Sequence, residues 1–349
     1  MSRILRIVPF IAALSVALAF SSSGLVLAQA QPQMVSAYLA GALPVADPFS
    51  PAWEMVPAYT ATLTPQAGIL PSLLAVTVPS VEVQSLNNGE QIAFRLVWPD
   101  AVANLHATKP DEFRDAAALQ FAVEDLAADQ TMQILCMGAV GQQVNLWHWK
   151  ADWQYDLDQG FHDVVDAYPN FWLDYYPFVV GDPPFRVPTD FESDAARAYL
   201  IGWSAGNRLS DPARLTPVED LKAGGFGTVT SQAHQDMLGR GQWQDGKWSV
   251  VFARDLRNTD ADDVQFIPGR MFSLAFAVWD GADAQVGARK QLSTWTTMLL
   301  ETASGIAYPA PKFLGVPLKT VLAVLGLALV IVVAAVLLAR RRRGVRRST

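Results

Sequence analysis

Cysteine is nearly absent: the 349 residues contain one, Cys136. That excludes an internal disulfide framework, a cysteine-ligated iron-sulfur cluster and covalent cofactor attachment through a C-x-x-C-H sequence. Histidine is scarce too, with His106, His148, His162 and His234. None stands near a G-x-S-x-G elbow, and no H-E-x-x-H spacing occurs, so the usual hydrolase and zinc signatures are missing. A phosphate-cradling loop is also missing, because the glycine-rich Gly224-Gly225-Phe226-Gly227 follows a predicted helix instead of preceding one. The sequence therefore carries no sign of a catalytic centre of its own. Between the two terminal apolar segments lie all 33 acidic residues but only 18 of the 26 basic ones, a net charge of −15. Such a surface argues against nucleic acid as a partner and allows steering of a basic one.

What is present begins at the two ends. Arg3 and Arg6 precede the apolar run from Ile7 to Phe20, a polar break at Ser21-Ser22-Ser23-Gly24 follows, and Ala28-Gln29-Ala30 closes the segment. That order is the one a secretory signal needs, so residues 1–30 are expected to be a signal peptide. At the other end Thr320 to Ala339 is an unbroken apolar stretch, long enough as a helix to cross a hydrocarbon core of roughly 30 Å. Arg340 to Arg343, with Arg346 and Arg347, follow at once and mark residues 340–349 as a cytoplasmic tail. The expected layout is an extracytoplasmic body at 31–303, a linker at 304–319 broken by Gly305, Pro309, Pro311 and Gly315, and one transmembrane helix at 320–339.

The body reads as mainly β. Ile92, Phe94, Leu96 and Trp98 alternate with Ala93, Arg95 and Val97 after the turn Asn87-Asn88-Gly89. Trp248, Val250 and Phe252 alternate likewise after Asp245-Gly246, which predicts a tight hairpin with Trp243 on the incoming strand. Further strands are expected at 119–123, 133–137, 144–149, 198–203, 271–279 and 292–300, with an irregular connection over 152–193. Few helices and many strands indicate an antiparallel β-sandwich with short helices. One helix is signalled at Thr216 to Ala223: Thr216 as cap, Pro217 at the first turn, Glu219 closing a capping box, and Gly224-Gly225 as the stop. With 11 Trp and 17 Phe, the core is expected to be rich in aromatic rings.

Met137 ends one predicted strand, and Val144-Asn145-Leu146-Trp147-His148-Trp149-Lys150 forms the next, with Gly138 and Gly141 between them. A thioether held on a strand end beside a flexible turn is a soft, neutral donor; the plainer alternative is core filling. These segments, together with Arg95-Leu96-Val97-Trp98-Pro99-Asp100 and the run from Phe113 to Phe121, resemble the haem b subunit of ethylbenzene dehydrogenase and its relatives. Those relatives include the gamma subunits of dimethylsulfide dehydrogenase, selenate reductase and chlorate reductase. The resemblance continues through 47–57, 198–207, 217–228, 248–254 and 276–280.

The resemblance implies a β-sandwich around one non-covalent haem b, with a methionine and a lysine as axial ligands. Met137 falls on the methionine position and Lys222 is the best match for the lysine. A lysine ligates only as the free amine, so Lys222 is expected in a desolvated place near Val218, Leu221 and Phe226, facing the Met137 sulfur. Lys150, Lys247 and His148 are the other nitrogen donors considered. Trp147, Trp149, Trp153, Phe171, Trp172, Tyr175 and Tyr176 could wall the porphyrin or form the core, and Arg197 or Arg254 could meet its propionates. By the same resemblance the chain is an electron-transfer subunit and not itself an enzyme. It would relay electrons between an iron-sulfur beta subunit, paired with a molybdenum alpha subunit, and a cytochrome or quinone-linked carrier. The competing reading is a membrane-tethered β-sandwich binding module without cofactor, with tryptophans as its platform.

Overall fold

The computed structural model describes residues 32–304 apart from 67, 69, 71, 124–136, 140–141, 169 and 171–200, together with 312–313 and 316–317. The chain divides into two units, Pro32–Ala307 and Met1–Gln31 with Tyr308–Thr349. In the second, Lys312–Phe313 pairs antiparallel with Val316–Pro317. Among the described residues no helix is long and apolar enough to cross a membrane. The expected signal peptide and spanning helix lie outside the described residues, as do Cys136, Phe171, Trp172, Tyr175, Tyr176 and Arg197.

The larger unit is built on one 14-stranded sheet. In chain order its strands are β1 (Met34–Tyr38), β2 (Tyr59–Thr62), β3 (Thr64–Pro65), β4 (Ser80–Asn87), β5 (Gln91–Pro99), β6 (Ala116–Ala122) and β7 (Val144–Lys150). They continue as β8 (Val218–Ala223), β9 (Thr230–Ser231), β10 (Leu238–Gln244), β11 (Lys247–Asp255), β12 (Met271–Trp279), β13 (Gln291–Leu292) and β14 (Thr296–Leu300). The spatial order is β10-β11-β5-β4-β1-β14-β12-β6-β7-β8-β9, with β2 beside β4 and β13 bridging β12 and β3. The sheet is mixed, not purely antiparallel as expected, because β1 runs parallel to both β4 and β14 and joins the two halves.

The two halves pack face to face, and strand alternation decides what they bury. Phe94 on β5 meets Phe121 on β6 at 5.5 Å and Trp147 on β7 at 5.8 Å between ring centroids. Trp98 likewise meets Trp149 across the core at 6.2 Å and stacks at 6.4 Å on Trp248, its neighbour in the same half. Trp98, Trp147 and Trp149 are fully buried in this core. The predicted hairpin is present: Asp245 (φ 52°) and Gly246 (φ 74°) make a two-residue turn with both residues left-handed, and Trp243 pairs with Trp248.

Three local expectations change. Thr216 to Ala223 is not helical but enters strand β8, whose Val218 to Ala223 pair with Trp149 to Val144 on β7. Thr216 still accepts the Val218 amide at 3.2 Å, but long-range pairing overrides the local helix signal. Where a strand was expected at 198–203, Ile201–Ser204 forms a short helix. The connection after β7 opens with the helices Ala151–Gln159 and Val164–Ala167.

Candidate functional site

The outer face of the β12-β6-β7-β8 half carries a cavity of about 720 Å³, a size suited to a cofactor. Its floor follows from alternation: on β7, Trp147 and Trp149 turn into the core while Leu146 and His148 turn into the cavity. Ala118 and Gln120 of β6, Leu221 of β8 and Ala275, Ala277 and Trp279 of β12 complete it. The segments around Phe226 and from Gly287 to Trp295 form the rim, so most of the wall is apolar or aromatic.

Met137 lines this cavity and packs against the cluster of Val144, Leu146, Leu221 and Ala223. Its backbone is held on both sides. The amide donates to Gln120 Oε1 at 3.3 Å, and the carbonyl accepts from the Gly225 amide at 2.8 Å. Met137 itself has φ 46° and Gly138 φ 81°. A Cβ at Gly138 would lie 2.6 Å from the Gln142 carbonyl oxygen, so the turn that presents the thioether needs glycine there.

Two nitrogen donors share the cavity. Lys290, only 5% exposed, bonds Gln66 Oε1 and lies 5.3 Å from the Trp279 ring centroid. His148 stacks on the same ring at 4.7 Å, and its Nε2 has no hydrogen-bond partner. Burial, then the nearby cations Lys150, Arg114 and Lys290, hold the His148 imidazole well below its ordinary pKa, so it is neutral at pH 7.

Lys222 is not among the cavity-lining residues. Alternation along β8 turns it to the face opposite Leu221, where its part-exposed ammonium pairs with Asp262. Lys150 is committed elsewhere, buried against Glu219 and 3.9 Å from the Trp153 ring centroid, and Lys247 is exposed in the hairpin. Arg254 is buried on Asp263 at 3.0 Å inside the core and does not line the cavity. Lys290 and Trp295 were not singled out from the sequence, since a lysine just before a predicted strand has no local mark of burial. Trp279 lay within a segment already noted, 276–280.

A family model described as ethylbenzene dehydrogenase matches residues 50–291. The chain belongs to this family. Three curated relatives agree. A candidate respiratory nitrate reductase haem subunit from Haloferax mediterranei is 26% identical, covering 76% of this chain and 75% of its own. The chlorate reductase subunit gamma of Ideonella dechloratans is 23% identical over 69% and 73% of the two chains. The dimethylsulfide dehydrogenase subunit gamma of Rhodovulum sulfidophilum is 23% identical over 71% and 72%. Among solved structures, a carbohydrate binding module of family 9 from Caldicellulosiruptor kristjanssonii aligns over 77% of this chain and 97% of its own, at 8% identity and a TM-score of 0.35, too low to argue from.

The donor set of the cavity fits a haem. A thioether, a primary amine and a neutral imidazole face an apolar space, and soft or neutral donors are those that haem iron takes axially. A buried position is also where an amine most readily gives up the proton that ligation requires it to lose.

Proposed function

We propose that this chain is the haem-carrying electron-transfer subunit of a multi-subunit oxidoreductase, and that substrate chemistry takes place on its partners. The carrying observation is the cavity that places Met137 together with Lys290 and His148 inside apolar walls. Met137 is proposed as one axial ligand, as the resemblance implied. Lys290 is proposed as the other, in place of Lys222, because Lys290 shares the cavity with Met137 and Lys222 faces Asp262. When bound, the haem supplies a one-electron centre. The protein's own part is to hold it without covalent bonds, exclude water with Trp279, Trp295 and Phe226, and offer donors that need no charge.

The relatives named as gamma subunits of chlorate reductase and dimethylsulfide dehydrogenase support partner subunits, which the resemblance implies to be an iron-sulfur beta chain and a molybdenum alpha chain. The two terminal segments support export and a single C-terminal anchor, with the body outside the cytoplasm and within reach of a cytochrome or quinone-linked carrier.

The deciding experiment is the visible spectrum of the purified full-length protein, oxidised and dithionite-reduced. A low-spin b-type spectrum is expected, altered by Met137→Ala and by Lys290→Ala but not by Lys222→Ala. A spectrum changed by Lys222→Ala and untouched by Lys290→Ala would return the ligand to Lys222. Folded protein that takes up no haem would sink this reading and leave the binding module as the better account.

A further inference from the structure

At the end of β6 away from the Met137 turn, three carboxylates converge from three separate strand ends. Asp100 follows β5, Asp115 precedes β6 and Asp280 follows β12. One oxygen from each lies within 4.8 Å of the others. All three fall in segments already noted in the sequence, Arg95 to Asp100, Phe113 to Phe121 and Phe276 to Asp280. Asp115 is fully buried and Asp100 is 8% exposed, while Asp280 is part-exposed and opens the cluster towards water.

The cluster is rigidly held yet short of positive charge. Asp115 accepts from the Asn104 amide at 2.7 Å, Trp248 Nε1 at 2.9 Å and the Gly281 amide at 2.8 Å. Asp100 Oδ1 accepts from the Val102 amide at 3.1 Å, and Asp280 Oδ1 from Ala282 at 3.0 Å. Among the described residues no lysine or arginine forms an ion pair with any of the three. The remaining oxygen of Asp100 is buried without a hydrogen-bond partner, and so is the side-chain carbonyl of Asn104, the residue whose backbone already bonds Asp115. The other carboxylate trio, Asp220, Asp236 and Asp263, differs in that Arg254 already sits on Asp263.

We propose that Asp100, Asp115 and Asp280, with the Asn104 side-chain carbonyl, bind one calcium ion. All four donors are hard oxygens, which excludes the soft metals. Two oxygens bound to one Ca²⁺ at about 2.4 Å can be no more than about 4.8 Å apart, and the three carboxylates meet that bound. Ligands drawn from three independent loops suit the irregular shell that calcium accepts, whereas Mg²⁺ demands a near-octahedral one. The ion would tie the ends of β5, β6 and β12 together across the two halves of the sheet.

The test uses the full-length protein, stripped with EGTA and re-equilibrated with CaCl₂ or MgCl₂. One calcium per chain and a higher Tm in calcium than in magnesium are expected. Asp280→Asn, which keeps its acceptor for Ala282, should weaken calcium binding at least about tenfold, and Asp236→Asn in the other trio should leave it unchanged. Terbium luminescence excited through Trp248 and displaced by Ca²⁺ gives an independent readout and decides alone if Asp280→Asn does not fold. Absence of bound calcium and of terbium luminescence at millimolar ion would overturn the site. So would binding that Asp236→Asn abolishes and Asp280→Asn spares.

Discussion

Lys222 and Leu221 are adjacent in the chain and end on opposite faces of one strand, Leu221 in the cavity and Lys222 on Asp262. A one-residue difference in where a lysine falls on a strand thus decides whether its amine faces the cavity or the opposite side of the sheet. Asp220, two residues before Lys222, shows the same rule with the opposite consequence. It points inward, and burial followed by repulsion from Asp263 pushes its carboxyl from the ordinary 3.8 up to about 8. A carboxyl whose folded pKa is raised keeps a proton that the unfolded chain has already lost. Its effect is therefore to lower stability as pH rises from about 4 to about 8. Urea titrations across that range should show the decline, and Asp220→Asn, which keeps the acceptor used by Asn145 and Gln232, should flatten it. An unchanged slope in the variant would place the titration elsewhere.

At the scale of elements, the Met137 turn is held by Gln120 on β6 and by Gly225 beyond β8, two points far apart in sequence. Gly138→Ala introduces a Cβ 2.6 Å from the Gln142 oxygen at φ 81°, so the turn must shift. The expected outcome is a fold intact by circular dichroism with a disturbed haem spectrum; an unaltered spectrum would show that the turn does not set the position of the thioether. Trp147 tests the core instead. Its ring lies 4.6 Å from that of Phe121 and faces away from the cavity, so Trp147→Ala should destabilise the fold by about 3–5 kcal/mol in denaturant melts. The strands themselves were readable where alternation was clean, as over Ile92 to Trp98 and Trp248 to Phe252. The segment 216–223 misled because Thr-Pro-x-Glu is a helix signal in isolation, and β7 supplies a pairing partner that local reasoning cannot see.

For the whole molecule, the terminal segments make a prediction independent of the cavity. Full-length protein should fractionate with membranes and resist carbonate extraction, while a chain ending before Thr320 should be released into the extracytoplasmic fraction with its haem spectrum retained. Recovery of the full-length chain in the soluble fraction would count against the anchor. The acidic middle, the β-rich body, the tight hairpin and the glycine turn at Met137 were legible from residue order, because each depends on composition, on neighbours or on a period of two. The parallel seating of β1, the entry of Lys290 into the cavity that Met137 lines, and the meeting of Asp100, Asp115 and Asp280 were not. Each joins residues separated by many tens of positions, and only the pairing of distant strands, with the face each residue then presents, brings them to one place.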